Sequence, residues 1–116
     1  MSLSIRRAGP DDIGVVFALI NELADYEKLA HEVVASQADI ATALFCDHPT
    51  LFCDIAEWDG EVAGFAVWFV NFSTFAGKPG IYLEDLFVRP AFRRNGLGQA
   101  LLGHLARTCI DKGWAR

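Results

Sequence analysis

Apolar positions along this chain change their spacing in an order that predicts the elements. Leu3 to Arg7 suits a short first strand. Gly9-Pro10-Asp11-Asp12 then reads as a turn that supplies an N-cap carboxylate and negative charge to a first helical turn. Ile13, Val16, Phe17, Ile20 and Leu23 recur at helical spacing and predict an amphipathic helix ending near Tyr26. Glu27 to Ala35 is more polar and predicts a loop. Ser36-Gln37-Ala38-Asp39 has the form of a capping box with Asp in place of Glu or Gln. The helix it opens turns Ile40, Leu44 and Phe45 inward, and His48-Pro49 stops it.

Strand patterns follow. Leu51 to Trp58 predicts one strand, and Asp59-Gly60 a two-residue hairpin turn. Val62 to Val70 returns as an apolar strand broken only by Gly64, so the sheet is expected to be covered by helices on both faces. Asn71 to Gly80, with its Ser, Thr, Gly and Pro, predicts a loop, and Ile81 to Val88 the next strand. Leu97 to Lys112 predicts a long helix with Leu97, Leu101, Leu105 and Cys109 along one face and Gly113 as its C′ cap. No repeat, linker or low-complexity segment interrupts the pattern, so residues 1–116 are expected to form one domain. Trp114-Ala115-Arg116 follow the helix cap, where a further strand is expected to begin. As given, the chain reads as a domain incomplete at its C-terminus.

Composition narrows the classes. A chain 53% hydrophobic with mean hydropathy +0.26 is not a disordered one. No apolar run approaches the ~18 residues of a membrane span. Met1 to Arg7 lacks a signal-peptide core, so the expected compartment is the cytoplasm and no membrane partner is expected. The net charge of −5 argues against nucleic-acid binding, which needs clustered cations. Basic charge gathers locally at Arg89, Arg93 and Arg94, which fits a small anionic ligand. Cys46, Cys53 and Cys109 have no CxxC spacing and are expected to be buried reduced thiols. His31, His48 and His104 are scattered, and no metal site is expected.

The chemistry concentrates in Tyr82-Leu83-Glu84-Asp85-Leu86-Phe87-Val88-Arg89-Pro90-Ala91-Phe92-Arg93-Arg94-Asn95-Gly96-Leu97-Gly98-Gln99. This is a strand, a basic glycine turn and a helix start. Such a turn aims backbone N–H groups and a helix N-terminus at one point, a ready anion site. It is not a Walker loop, since no Gly-Lys-Ser/Thr follows, nor a complete dinucleotide fingerprint. Glu84 and Asp85 precede it on the strand. On a regular strand they would point to opposite faces and could act together only where the sheet is irregular.

Arg93-x-x-Gly96-x-Gly98 after that Glu-Asp strand resembles the acyl-CoA pyrophosphate loop of the GNAT superfamily of N-acetyltransferases. The element order agrees, and Asn21-Glu22-Leu23-Ala24-Asp25-Tyr26-Glu27 together with Tyr82 to Val88 is most similar to the diamine acetyltransferase group, which includes polyamine and thialysine acetyltransferases. The resemblance implies an α/β (α+β) fold with a mixed, mostly antiparallel sheet flanked by helices and lacking the C-terminal strands. It implies acetyl-CoA as cosubstrate, and transfer of its acetyl group to a primary amine of a small diamine, polyamine or lysine-like amino acid in a ternary complex. Backbone from Arg94 through Asn95, Gly96, Leu97 and Gly98 to Gln99 would hold the pyrophosphate, with a charged contact from Arg93 or Arg94. Leu86, Phe87 and Val88 would pair with the pantetheine arm. Glu84 would be the general base. Tyr26, Glu27, Glu84 and Asp85 would line the amine pocket, with Phe75 as an apolar wall where polyamine enzymes carry tryptophan. Their loop aspartate is replaced by Ser73, which weakens the case for a long polyamine and leaves smaller amines or amino-acid side chains open. The family's thiolate-protonating tyrosine matches neither Tyr26 nor Tyr82. Homodimers are the family habit. Two other readings compete: an acyl-CoA-binding or interaction module without catalysis, and a nucleotide-binding domain using the glycine loop.

Overall fold

The computed structural model describes residues 2–115; Met1 and Arg116, the ends of the first and last segments considered above, lie outside the described residues. Four antiparallel strands form one sheet in sequence order. They are β1 (Leu3–Arg7), β2 (Leu51–Trp58), β3 (Glu61–Ser73) and β4 (Lys78–Val88). Helices α1 (Ile13–Tyr26) and α2 (Gln37–Phe45) cover one face, and α3 (Leu97–Lys112) the other. The fold is thus the mixed one expected.

Each strand of the sheet's middle feeds two cores. Cys53, Ile55, Phe65, Val67 and Phe87 pack with Val16, Leu19 and Leu44 on the α1/α2 side. Ala56, Ala63, Ala66 and Trp68 pack with Leu97, Leu101 and Leu105 on the α3 side. Small alanines under α3 let that helix lie close, which is why a near-continuous apolar run forms a strand here. Gly64 has a separate reason to be glycine. A Cβ there would sit 2.5 Å from the carbonyl oxygen of Phe87 and 3.1 Å from Cα of Val88, both backbone atoms that cannot swing aside.

A buried carboxylate ties β1 to this sheet. Asp54, 1% exposed, accepts from Arg7 Nε at 2.9 Å and from Trp68 Nε1 at 2.7 Å. His104 Nε2 of α3 lies 3.6 Å away, and the Arg7 guanidinium stacks over Trp68 at 5.1 Å and Phe52 at 5.4 Å. Burying a charge is tolerable only with such partners. Burial pushes the neighbouring Cys53 thiol up to about 12, with the Asp54 charge adding to it, so this thiol stays protonated and inert.

Local signals were mostly realised. Ser36 and Asp39 form the reciprocal capping box, Ser36 Oγ accepting from Asp39 N at 3.1 Å and Asp39 Oδ2 from Ser36 N at 2.8 Å. Asp59 (φ 51) and Gly60 (φ 84) make the tight left-handed hairpin turn. Gly113 (φ 69) ends α3, with Trp114 N donating to Cys109 O at 2.9 Å.

Three expectations need correction. The loop expected over Asn71 to Gly80 is only residues 74–77. Phe72 pairs with Pro79 and Ser73 with Lys78, so the hairpin runs on, and Ser73 Oγ closes the turn by accepting from Ala76 N at 3.1 Å. Asp12 stands at the N-cap of α1 but does not cap it. Its carboxylate turns back to Gly9 N (2.8 Å) and forks onto Arg6 at 2.7 and 2.9 Å, which holds its carboxyl below the usual aspartate range. Cys46 is exposed, because α2 ends one residue before it.

Gly64→Ala is expected to destabilise the domain by about 1–3 kcal/mol through overpacking. Urea unfolding should show a lower midpoint at unchanged slope. An unchanged midpoint would mean that β3 and β4 can part there without cost.

Candidate functional site

The site starts from an irregularity in β4. Val67 pairs with Asp85, yet the next residue Trp68 pairs with Leu83, so Glu84 is an extra residue bulged out of the ladder. The bulge shifts the pleat by one position. Leu83 and Leu86 both face the α3 core although they are three apart. Glu84 and Asp85 both line one cavity on the α1 side. The expectation that the two carboxylates take opposite faces is therefore corrected, since the condition for their acting together is met.

That cavity holds about 350 Å³. Ile20, Leu23 and Ala24 of α1 form its apolar wall. The helix end completes it. Leu29 N donates to Ala24 O at 2.7 Å and Lys28 N to Asp25 O at 3.0 Å, with Lys28 left-handed at φ 60. This is a Schellman turn on a lysine in place of the usual glycine. It folds Leu29 back over Ala24, and a short turn at Ala30–Glu32 brings Glu32 and Val33 to the rim. Four carboxylates, Glu27, Glu32, Glu84 and Asp85, and no cationic side chain share the lining. Asp85 is half-buried. Burial first, then the charges of Glu84 and Glu27, push its carboxyl above the usual aspartate range.

The anion loop lies at the other end of the same strand. A turn at Pro90–Phe92 leads to Arg94 (φ 72) and Gly96 (φ 78), both left-handed, and Gly96 is the N-cap of α3. The N–H groups of Leu97, Gly98 and Gln99 have no acceptor within the helix. They open onto a groove of about 340 Å³ that Val88, Arg93 and Arg94 also line. Beyond Gly96 and Gly98 there is open space where a side chain would stand. Asn95 braces the loop, Nδ2 donating to Phe92 O at 3.0 Å. The arginines differ. Arg89 forks onto Glu22, and Arg93 turns inward onto Val88 O and the rings of Tyr26 and Phe87. Arg94 has no ion pair among the described residues.

Other sequence-derived positions are spread around these two centres. Phe87 is buried toward α1, while Leu86 and Val88 face the α3 core. Tyr26 lines a neighbouring cavity of about 240 Å³ with Phe87, Pro90, Glu22 and Asp25 rather than the acidic one. Phe75 stands fully exposed at the hairpin tip and lines neither cavity. Glu32 and Glu22 were missed. Apolar Leu29 and Val33 within a polar segment were the available sign that Glu32 folds back. Among the described residues no cluster of His, Cys, Asp and Glu is arranged to hold a metal, and no helix is long and apolar enough to cross a membrane.

Asp85 carries a stability consequence. Its folded value lies above the unfolded one, so its favourable contribution is present below about pH 3.9, the unfolded aspartate value, and is lost as pH rises through the folded value. Asp85→Asn is therefore expected to raise the melting temperature at neutral pH, with the gain vanishing in acid. A gain that persists in acid would assign the effect to packing rather than charge.

The profile of the "Acetyltransferase (GNAT) family" matches residues 17–116. A thialysine N-epsilon-acetyltransferase of Bos taurus is 36% identical over 94% of this chain and 68% of its own length. An L-ornithine N5-acetyltransferase of Arabidopsis thaliana is 29% identical over 97% of this chain and 69% of its own. Among solved structures, an aminoglycoside acetyltransferase from an uncultured soil metagenomic sample superposes with a TM-score of 0.80 at 20% identity, over 97% of this chain and 72% of that one. An integron cassette protein from the mobile metagenome of V. cholerae gives 0.75 at 30% identity, over all of this chain and 73% of that one. The bulged Glu-Asp strand, the glycine loop and the helix behind it thus lie within the matched span, and the chain belongs to the GNAT family of acetyltransferases, close to its polyamine and thialysine members.

Proposed function

We propose that this chain transfers the acetyl group of acetyl-CoA to a primary amine of a small cationic acceptor held in the acidic cavity. The observation that carries the reading is the bulge at Glu84. It puts two carboxylates on the wall of one cavity, on the strand that leads into the anion loop.

The loop fits a pyrophosphate. Backbone N–H groups at the start of α3, the open space beside Gly96 and Gly98, and Arg94 all serve one anion. The helix dipole adds roughly 0.3–1 kcal/mol at such an exposed site. The pantetheine arm would then run along Leu86 to Val88, which brings the thioester toward the cavity. Four carboxylates draw in a cationic amine, which supports amines such as those for which the thialysine and ornithine relatives are named.

Primary amines are protonated at pH 7 and must lose a proton before attack. Glu84, exposed to the cavity's water, accepts that proton. Asp85 stands beside it on the same wall, its own carboxyl held above the usual aspartate range by burial first and then by the charges of Glu84 and Glu27. The amine nitrogen forms its bond to the acetyl carbonyl carbon, the carbon–sulfur bond breaks, and the electron pair leaves on the thiolate of CoA.

Glu84→Gln is expected to lower kcat by about 10²-fold at neutral pH, as loss of a general base does. Affinity for acetyl-CoA, read by calorimetry, should stay within a factor of about two. Unchanged turnover at every pH would remove Glu84 from the mechanism. Tight acetyl-CoA binding with no acetylation of thialysine, ornithine or a diamine by the unsubstituted chain would favour a binding module instead.

A further inference from the structure

Two arginines flank the turn at Pro90–Phe92, and both reach back to α1. Arg89 donates Nε to Glu22 Oε1 and Nη2 to Oε2, each at 2.9 Å, and Nη1 to Val62 O at 3.1 Å. Arg93 donates Nε to Val88 O at 2.9 Å, and its guanidinium carbon lies 4.5 Å from the Tyr26 ring centre and 5.6 Å from that of Phe87. Glu22 and Tyr26 are four apart on α1 and so share one face. The stem of the anion loop therefore grips the last helical turn at two points, one a forked ion pair and one a cation over a ring.

The second grip is the informative one. Tyr26 is 62% exposed, and its described ring partners are Phe87, at 6.3 Å, and the Arg93 cation. The chain then leaves the helix through the left-handed turn at Lys28, and Glu27 and Leu29 on either side of it line the cavity. Fixing Tyr26 fixes the direction of that exit.

We propose that Arg93 is a positioning residue for the acceptor cavity: by pinning Tyr26 to the end of β4 it holds Glu27 and Leu29 in place against Glu84 and Asp85. The proposal rests on reading that cavity as the amine site. Arg93 lines the anion groove as well, but its guanidinium is engaged by Val88 O and two rings, and under this proposal the charge offered to phosphate comes from Arg94 and the backbone. Such a bridge also places the cofactor loop and the acceptor wall on one mechanical unit.

Arg93→Ala is expected to raise the KM for the best acceptor among thialysine, ornithine and a diamine by about tenfold, the scale of a partly desolvated cation–ring contact. The dissociation constant for acetyl-CoA should stay within about twofold. Tyr26→Ala should do the same, and the double variant should be no worse than either single one, since both remove one contact. Arg93→Lys, which keeps the charge but not the planar fork, should restore only part of the loss. Amide hydrogen exchange gives a readout independent of activity. In Arg93→Ala, residues 23–29 should exchange faster while α3 keeps its protection, which also shows that the variant is folded. If the unsubstituted chain acetylates no amine, the functional reading fails, and the exchange pattern alone decides the pin. Weakened acetyl-CoA binding with unchanged acceptor KM and unchanged exchange in α1 would make Arg93 a phosphate ligand and overturn the proposal.

Discussion

Side chains of a strand alternate between two faces, and β4 sits between two cores that both depend on that alternation. Phe87 must reach α1, while Ile81, Leu83, Leu86 and Val88 must reach α3. No regular strand satisfies Leu83 and Leu86 together, because they are three apart. One inserted residue resolves the conflict, and Glu84 is that residue. It also leaves the extra position and its neighbour on the same side, with a local break in the ladder. The packing demand and the clustering of carboxylates are thus one event. Because the leucine packing rather than the carboxylates requires the bulge, replacing either carboxylate is expected to leave the register of β4 unchanged.

Charge in this acidic chain is sorted by function of place. Carboxylates that would be costly are given partners: Asp54 by Arg7 and Trp68, Asp12 by Arg6, Glu22 by Arg89. Among the described residues those on the cavity wall have no ion-pair partner, and burial together with the Glu84 and Glu27 charges raises the proton affinity of Asp85. If the proposed acceptor binds there, its positive charge would offset the repulsion among these carboxylates. At the opposite end of β4 the sign reverses, with backbone donors and Arg94 gathered on one groove. One strand therefore connects an anion-seeking end to a cation-seeking one.

The ends of β1, β2, α1 and α3 were legible because their signals are local: periodicity, a capping box, Asp59-Gly60, and a glycine after the last apolar ridge. The buried stripe of α3 was legible down to its four residues. Leu19, at the center of the α1 core, was not, since its neighbours offered an equally good helical stripe. The bulge was not, because it arises from what β4 packs against rather than from its own residues. The hairpin beyond Val70 was hidden because Gly, Pro, Ser and Thr look like a loop, and only pairing with the partner strand makes Phe72 and Pro79 part of a ladder. Around the cavity and groove, Glu84, Asp85 and the glycine loop stood out by type and spacing, whereas Glu27 came only from the family resemblance. Arg93 could not be told from Arg94, since only the chain's path decides that one turns inward while the other does not.

The connection between β1 and β2 is unlike the others in this sheet. Strands β2, β3 and β4 follow one another through short turns, whereas Arg7 and Asp54 are 47 positions apart. Chain-closure entropy favours assembly of the three-stranded meander before the first strand arrives. Until then Asp54 has Trp68 but not its cation, and the loss of its water is deferred to the step that brings Arg7. On that ordering the N-terminal strand would serve as a latch, closed on a charge and released first when the domain opens.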